Sequence, residues 1–370
     1  MKVFFYVQHL LGIGHLKRAA TLARALADAG FEVMLASGGA SVAGMPVDVQ
    51  LPPASAADVT FKTLLDESGR PIDDAWKRDR AGALLDAWRA AHAEVLLVEL
   101  FPFGRRQMRF ELLPLLEDAT RLSPRPLIVC SVRDVIQSRP EREEETVALA
   151  TRFFDRILVH GDPRLAPFER SFGAAARLGE RLQYTGYIVG PAAAGAHGAA
   201  EVLVSAGGGA VARRLLECAM LAREDTLLRG ATWRVLAGVN CSEGDFRALE
   251  RLARPGILLE RSRDDFTTLL GNCALSISQA GYNTVAEVLQ ARVRALLVPF
   301  AAAGESEQTL RAQLLAERGV CAMVEEAKLS PQILADGVNR AVRGARPAAD
   351  LVDLDGARRS AGLLREWVQR

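Results

Sequence analysis

The chain has 370 residues, a length that suits two domains of ordinary size better than a single core. Hydrophobic residues make up 49% and charged residues 25% of the sequence, a balance that excludes a disordered or fibrous protein. The formal net charge of +1 argues against a nucleic-acid-binding protein, because such proteins carry a basic excess or stripe.

Cysteine usage and hydropathy indicate the compartment. The five cysteines are dispersed and form no CxxC motif or Cys/His cluster, so neither a structural zinc site nor a disulfide framework is expected. No run of about 18 apolar residues occurs, so no membrane-spanning helix is expected, although a peripheral membrane contact stays open. The N-terminal apolar stretch is interrupted by Gln8 and His9, which indicates a folded strand and not a signal peptide. The sequence therefore predicts a cytoplasmic protein.

The first half of the chain alternates short β-like runs with longer helical ones. Lys2–Val7 is predicted to be a buried strand, and the apolar residues after His15 recur at helical spacing until Gly30, a residue type that commonly ends helices. Further strands are predicted at Glu32–Ser37, Val47–Leu51, Val95–Leu100, Leu127–Ser131 and Ile157–His160. Strands separated by helices imply a parallel sheet with helices on both faces.

The second half repeats this alternation. Residues 189–200 are rich in Gly and Ala without a periodic pattern and are the best candidate for a linker. After them, strands are predicted at Val202–Ser205, Trp233–Ala237, Gly256–Leu259, Leu275–Ser278 and Ala295–Val298. The final stretch, Gly356–Arg370, places its apolar residues on one helical face. We therefore predict a first domain at 1–188, a second at 200–345, and a terminal segment, 346–370, that packs back on the first.

A glycine-rich turn follows the first strand. Gly12 and Gly14 let the backbone approach an anion closely, and the helix that follows offers N–H groups and a partial positive charge at its start. His15 falls in the first turn of this helix, where the dipole disfavours imidazolium, so it is expected to be neutral and able to accept a proton. A tight turn that the histidine merely caps is the alternative explanation.

A second turn of the same kind lies at residues 278–287, SQAGYNTVAE. Gly281 permits close backbone approach, and Asn283 and Thr284 are good helix caps. One explanation of Glu287 is a capping box with Thr284. The other places a diphosphate on this helix N-terminus and a ribose on Glu287, because carboxylates often bind the ribose hydroxyls in Rossmann-like sites.

Polar side chains follow three predicted strands of the first half. Ligands of open α/β sheets bind beyond the carboxyl ends of the strands, so these side chains are predicted to form an acceptor pocket. The acceptor-side residues are Arg105, Arg133, Asp134 and His160, and Glu99 ends the strand before Arg105. A surface ion pair between Arg133 and Asp134, and a helix cap at Glu99, are the structural alternatives.

The second turn and its surroundings resemble a known family. The stretch SQAGYNTVAEVLQARVRALLVPF, followed by Gln308, is similar to the donor-binding half of bacterial family 28 glycosyltransferases. That family includes the MurG-type enzymes that add N-acetylglucosamine in peptidoglycan synthesis. The resemblance implies the GT-B fold, in which two Rossmann-like domains with parallel sheets face each other across a cleft, and a nucleotide-sugar co-substrate, with uridine as the base.

The same resemblance implies roles for individual residues. Residues 281–284 would face the diphosphate, Glu287 the ribose and Gln308 the sugar hydroxyls. The full set of predicted nucleotide-sugar contacts is Gly12, Gly14, Gly207, Gly208, Gly209, Gln279, Ala280, Gly281, Tyr282, Asn283, Thr284, Glu287 and Gln308. The chain departs from the family pattern in two places. Its N-terminal loop has one glycine fewer beside the histidine, and AAAGESEQ replaces a proline-rich turn with a histidine.

These assignments predict a transfer reaction. Two helix N-termini can stabilise a leaving diphosphate without a metal, and no DxD-like acidic pair ends a strand, so neither a metal nor a cofactor is expected. His15 is the first candidate for the base that deprotonates the acceptor hydroxyl, and Glu99 is the second. The resemblance further implies inversion at the anomeric carbon. The prediction is a metal-independent glycosyltransferase that moves a sugar from a nucleoside diphosphate sugar to an acceptor hydroxyl.

Three other functions suit the same fold. The stretch GHLKR resembles the GHxxR stretch of UDP-sugar hydrolases in pseudaminic acid synthesis, where the histidine would activate water. A sugar epimerase would need more acid–base carboxylates than the sequence offers. A non-catalytic nucleotide-sugar-binding protein would hold its ligand intact. The sequence specifies neither the sugar nor the acceptor.

Overall fold

A computed structural model of the chain describes residues 1–58, 61–192, 200–206, 213–239, 241–301 and 304–369. The chain divides into two compact units. The first unit comprises Met1–Ile188 and Asp353–Arg370, and the second comprises Val189–Val352. Each unit has its own sheet and its own hydrophobic core.

The first unit is built on a seven-stranded parallel sheet. The strands of the first unit, including two outside this sheet, are β1 (Lys2–Val7), β2 (Glu32–Ser37), β3 (Val49–Gln50), β4 (Ser55–Ala56), β5 (Leu64–Leu65), β6 (Val95–Glu99), β7 (Leu127–Arg133), β8 (Arg156–His160) and β9 (Leu182–Tyr184). The sheet order is β3-β2-β1-β6-β7-β8-β9, while β4 and β5 form a separate antiparallel pair. The helices are α1 (Gly14–Asp28), α2 (Asp74–Ala91), α3 (Arg109–Arg121) and α4 (Glu143–Phe153).

Strand β1 shows why this sheet is covered on both faces. Phe4 and Tyr6 point to one side, where the Phe4 ring meets the edge of Trp88 in α2 with ring centroids 5.7 Å apart. Val3 and Phe5 point to the other side, into a cluster that includes Leu16 of α1. A parallel strand buried on both faces needs such a continuous apolar sequence, and KVFFYV supplies it.

The second unit contains a six-stranded sheet that is also parallel. Its strands are β10 (Val202–Ser205), β11 (Trp233–Leu236), β12 (Ile257–Glu260), β13 (Leu275–Ser278), β14 (Ala295–Leu297) and β15 (Ala322–Met323), in the order β12-β11-β10-β13-β14-β15. Its helices are α5 (Arg213–Ala222), α6 (Glu243–Glu250), α7 (Phe266–Asn272), α8 (Tyr282–Ala291), α9 (Glu307–Glu317) and α10 (Pro331–Arg343). The predicted α/β architecture with parallel sheets is confirmed.

The chain ends in α11 (Gly356–Gln369), which belongs to the first unit. Ala361 and Leu364 of α11 are buried in the same apolar cluster as Leu16 and Leu22 of α1. Residues 346–352 of the predicted terminal segment lie in the second unit instead. Short 3-10 helices occupy Arg106–Met108, Pro140–Arg142, Phe168–Arg170, Gly173–Arg181, Arg223–Asp225 and Glu326–Lys328. None of the helices in the described ranges has the length and apolar character needed to cross a bilayer.

One predicted strand is much shorter in the structure. Val47–Leu51 was expected, but only Val49–Gln50 pairs with β2. Asp48 donates its backbone N–H to the backbone oxygen of Leu35 at 3.0 Å, and its side chain accepts a hydrogen bond of 2.8 Å from the backbone N–H of Leu35. A side chain that bonds to the backbone in this way competes with regular strand pairing.

Candidate functional site

The turn between β1 and α1 leads directly to His15. Helix α1 begins at Gly14, with no side-chain cap at Ile13 and no acidic residue in its first turn. A Cβ atom on Gly12 would meet nothing within 4 Å, so the space beside this exposed residue is open. His15 is the second residue of the helix, and 13% of its side chain is exposed.

His15 forms a dyad with Glu99 at the end of β6. Its Nδ1 lies 2.7 Å from Oε1 of Glu99. Because an ionised carboxylate only accepts hydrogen bonds, Nδ1 carries the hydrogen of the neutral ring and Nε2 keeps its lone pair. Arg18, one helical turn after His15, donates from Nη2 to the same carboxylate oxygen. The structure thus joins the two residues that were predicted separately as candidate bases.

Electrostatics divide the roles of the two residues. Burial lowers the pKa of His15 well below its usual 6.5, and Glu99 opposes this effect without overcoming it. We expected the helix dipole to keep His15 neutral, whereas burial is the main cause. Burial alone would raise the pKa of Glu99, but the partners His15 and Arg18 lower it far below the usual 4.5. Glu99, which is 1% exposed, is therefore placed to orient His15, and its role as the second candidate base stays a prediction.

Two of the predicted acceptor-side arginines lie near this dyad. Arg105 follows β6 in a left-handed conformation with φ of 56°, and its Nε donates to the backbone oxygen of Gln8 at 2.9 Å. Arg133 is the last residue of β7, and its side chain is half-buried. The positive charges of Arg105 and Arg133 both contribute to lowering the pKa of His15.

His160 and Asp134, the other two acceptor-side predictions, are fully buried. The ring nitrogens of His160 lie 2.7 Å from Ser131 Oγ and 2.9 Å from Thr185 Oγ1. Asp134 accepts a hydrogen bond of 2.9 Å from the hydroxyl of Tyr187. These side chains therefore hold strand ends together inside the first unit and do not face an acceptor, which corrects the prediction. A pattern of polar residues at strand ends does not distinguish buried from exposed positions.

The burial of His160 predicts a pH dependence of stability. Burial lowers the pKa of His160 from 6.5 to about 3, so below pH 6.5 the unfolded chain binds a proton that the native state excludes. Stability is then lost as the pH falls, by about 2 kcal/mol between pH 7 and pH 5 from this residue alone. In urea unfolding at both pH values, His160→Gln should show a smaller loss by this amount. The exposed His92→Asn should behave as the wild type, and equal losses in all three proteins would contradict the assignment.

A buried ion pair in the first unit was not predicted. Arg80 of α2 donates from Nε to Oε2 of Glu111 in α3 at 2.6 Å, and Tyr6 donates its hydroxyl to Glu111. Arg80 also donates to the side-chain oxygen of Gln8 and, at 2.8 Å, to the backbone oxygen of Gly38. Tyr6, Gln8, Arg80 and Glu111 are all fully buried, and we call them the Arg80 brace. The brace fixes Gln8, the residue to which Arg105 is bonded.

The second predicted turn opens helix α8 of the second unit. The N-cap is Gly281, so Thr284 and Glu287 lie inside the helix and do not form the capping box that was one explanation of Glu287. Gly281, being a glycine, has no side chain of its own to cap the helix. Gly281 has φ of −64° and a Cβ there would meet nothing within 4 Å, so neither backbone strain nor packing requires a glycine. The open space above this helix start is what close approach of a ligand needs.

The turn before α8 is held by α9. Gln308 accepts hydrogen bonds at its side-chain oxygen from the N–H of Ala280 (3.0 Å) and of Phe300 (3.2 Å). Arg311 donates to the backbone oxygen of Ala280 at 2.9 Å and pairs with Glu307. Ala280 is fully buried with both backbone groups occupied, so it supports the turn and offers nothing to a ligand, which corrects its prediction as a contact.

The remaining residues predicted to contact the donor differ in their burial. Gln279 and Asn283 are half-buried beside Gly281. The side chain of Tyr282 is buried, and the centroid of its ring lies 5.9 Å from the guanidinium carbon of Arg311. Gly207, Gly208 and Gly209 lie outside the described residues. Within the described part of the chain, no cluster of three or more His, Cys, Asp or Glu side chains is placed to hold a metal ion.

Arg311 is the functional-site residue that the sequence analysis missed. It is 1% exposed, and its partner Glu307 lies four residues earlier on α9. An acid–base pair at this spacing is most simply interpreted as a solvated helix face. Only the tertiary contact with Ala280 reveals that the pair is buried and positions the turn at Gly281.

Residues 261–350 match the glycosyltransferase family 28 C-terminal domain. The matched segment includes Gly281, Glu287, Gln308 and Arg311, all of the donor-side geometry described for α8 and α9. This stretch of the chain is therefore similar to the C-terminal domain of family 28. The predicted resemblance to family 28 glycosyltransferases is confirmed for this part of the second unit.

Relatives and solved structures extend this finding. The chain is 32% identical over 114 residues to the UDP-N-acetylglucosamine--N-acetylmuramyl-(pentapeptide) pyrophosphoryl-undecaprenol N-acetylglucosamine transferase of Anaeromyxobacter sp. (strain K). This match covers 29% of the chain and only 30% of that relative. The fold is similar, over 99% of both chains, to the glycotransferase of kitacinnamycin (TM-score 0.64, 15% identity) and to MurG of Acinetobacter baumannii (TM-score 0.62, 16% identity). These likenesses confirm the predicted GT-B fold.

Proposed function

We propose that the protein is a glycosyltransferase that moves a sugar from a nucleoside diphosphate sugar to an acceptor hydroxyl. One observation carries the proposal: within residues 261–350, which match the family 28 C-terminal domain, α8 starts at Gly281, a residue with no side chain and with open space beside its Cα. A helix start of this kind attracts a diphosphate through its N–H groups and its partial positive charge. Uridine is the proposed base because the Anaeromyxobacter relative is named for UDP-N-acetylglucosamine.

The proposed donor contacts follow from positions along α8 and α9. Glu287 lies five residues after Tyr282, about 7 to 8 Å along the helix axis, which suits a ribose attached to a diphosphate at the helix start. Gln308 uses its oxygen on backbone N–H groups, so its amide nitrogen is the group that would donate to sugar hydroxyls. Arg311 keeps the turn in place by bonding to Ala280.

The proposed chemistry needs a base in the first unit. His15 Nε2 would take the proton of the acceptor hydroxyl, and Glu99 would stabilise the imidazolium that forms. The acceptor oxygen would then bond to the anomeric carbon while the bond from that carbon to the diphosphate oxygen breaks. Attack from the opposite side inverts the configuration. The leaving diphosphate gains charge at the start of α8, where oriented N–H groups stabilise it without a metal.

Glu287→Gln tests the donor site. If Glu287 binds the ribose, loss of its charge should weaken UDP binding about tenfold or more, because hydrogen bonds to charged groups are the stronger ones. Isothermal titration of UDP measures this directly. Glu317→Gln, an exposed carboxylate of the same unit, is the matched control and should bind UDP as the wild type does. Unchanged affinity in a folded Glu287→Gln protein would remove Glu287 from the donor site.

A nucleotide-sugar hydrolase is the second candidate function. The observation that favours it is the His15–Glu99 dyad within GHLKR, because the same base can activate water. Incubation with UDP-sugars and no acceptor separates the two. A hydrolase releases UDP at its full rate under these conditions, a transferase releases it only when an acceptor is added, and a non-catalytic binding protein leaves the donor intact.

A further inference from the structure

The dyad in the first unit carries an unbalanced charge. Arg18, Arg105 and Arg133 act on the same pair, His15 and Glu99. Glu99 supplies one negative charge, and His15 is neutral because burial lowers its pKa. The cluster formed by Arg18, Arg105, Arg133, His15 and Glu99, which we call the arginine cluster, therefore has more positive than negative charge.

Arg105 is the member of the cluster that is built to meet a ligand. Its Nε donates a hydrogen bond to the backbone oxygen of Gln8, and the side chain of Gln8 is held in turn by a hydrogen bond from Arg80. Among the described residues, the terminal nitrogens of Arg105 have no hydrogen bond or ion pair, and the side chain is partly exposed. By contrast, Arg18 is 3% exposed and directs Nη2 at Glu99.

The electrostatics of Arg105 favour an incoming anion. Burial is the largest cause that lowers the pKa of Arg105, and the charges of Arg133 and Arg18 lower it further, while Glu99 opposes them. A guanidinium held beside like charges in a poorly solvated position gains more from an anion than one in water does. The planar fork of arginine suits the two oxygens of a carboxylate or phosphate.

We propose that Arg105 binds an anionic group, a carboxylate or a phosphate, on the acceptor substrate, next to the hydroxyl that His15 deprotonates. This inference rests on the proposed transfer reaction and adds the chemical class of the acceptor to it. An anion at Arg105 also cancels one of the charges that lower the pKa of His15, so a bound acceptor makes the imidazole a better base.

The test uses inorganic phosphate as the probe and the full-length protein saturated with UDP, which occupies the proposed donor site. Phosphate is titrated by calorimetry at constant ionic strength. We expect the wild type to bind phosphate in the presence of UDP and Arg105→Gln to bind it at least about tenfold more weakly. Arg106→Gln is the matched control, because Arg106 is the next residue but pairs with Glu145 on the surface and should not matter.

Each result decides between the possible sources of the anion. If phosphate binds only when UDP is absent, it occupies the site of the donor diphosphate, and this result overturns the proposal. Equal phosphate affinity in the wild type and Arg105→Gln overturns it as well. Arg105→Lys keeps the charge but loses the fork, so affinity between those of the wild type and Arg105→Gln supports it. If UDP itself fails to bind, the donor site is refuted, and the Arg105→Gln difference without UDP still tests the anion site.

Discussion

Replacing His15 by Ala should lower kcat for sugar transfer by about 10²- to 10⁴-fold, the usual contribution of a general base. The loss is expected because Nε2 of His15 holds the lone pair that would accept the hydroxyl proton, while Nδ1 is bonded to Glu99. UDP binding should not change, since Glu287 and Gln308, the side chains proposed to bind the donor, lie in the second unit. Steady-state rates and UDP titration calorimetry on the same preparations measure both quantities.

Two comparisons make the His15 result specific. Glu99→Gln keeps the size of the side chain but removes the charge that orients the ring, so it should also slow transfer while leaving UDP binding intact. His92→Asn is the control, because His92 is an exposed histidine whose left-handed backbone Asn tolerates. Turnover that survives in His15→Ala would show that another group takes the proton.

The dyad also sets the expected pH profile of the reaction. The base works only when neutral, so kcat/KM should rise with pH through the pKa of free His15 and then level off. Because burial lowers that pKa well below 6.5, the plateau should already be reached at pH 6.5. In this respect the profile should differ from that of an ordinary solvent-exposed histidine base, which is half-protonated near pH 6.5.

Replacing Arg80 by Leu should cost about 3 to 5 kcal/mol of the free energy of unfolding of the first unit. The cost arises because Glu111 stays buried with its charge and, among the residues that the structure describes, keeps only the hydroxyl of Tyr6 as a side-chain partner. Replacing both Arg80 and Glu111 by Leu should cost less than the single change, because no uncompensated buried charge is left.

Tryptophan fluorescence in urea can follow this unit alone. Of the four tryptophans, Trp76, Trp88 and Trp367 lie in the first unit, so a Trp233→Phe background reports only on it. Arg89→Gln, in the same helix α2, is the matched control, since the Arg89 side chain is exposed to solvent and its pair with Asp118 should contribute little to stability. A single Arg80→Leu change as mild as the control would show that the brace contributes little.

The repeating strand and helix pattern was predictable because it depends on local sequence. Strands such as KVFFYV are apolar throughout, and Gly281 marked the start of α8. The short strands β9 and β15 were missed, since three and two residues carry too little periodicity to detect. The antiparallel pair of β4 and β5 escaped for the same reason.

The chemistry was predictable only in part. His15 and Glu99 could be chosen singly from their positions after strands, but their contact joins residues 84 positions apart. The other assignments depended on which polar side chains are buried. His160 and Asp134 are core residues, and Arg80 and Arg311 are buried within hydrogen-bond networks. Charged residues are rarely buried without partners, and the sequence does not show which partner the fold will bring.

The position of α11 has a consequence for how the protein is made. The helix that covers Leu16 and Leu22 of α1 leaves the ribosome only after the entire second unit. Until α11 has been synthesised, the nascent first unit exposes the apolar surface of α1 that α11 later covers. A chain whose translation stalls before Gly356 would therefore be aggregation-prone and a target for chaperones and proteases.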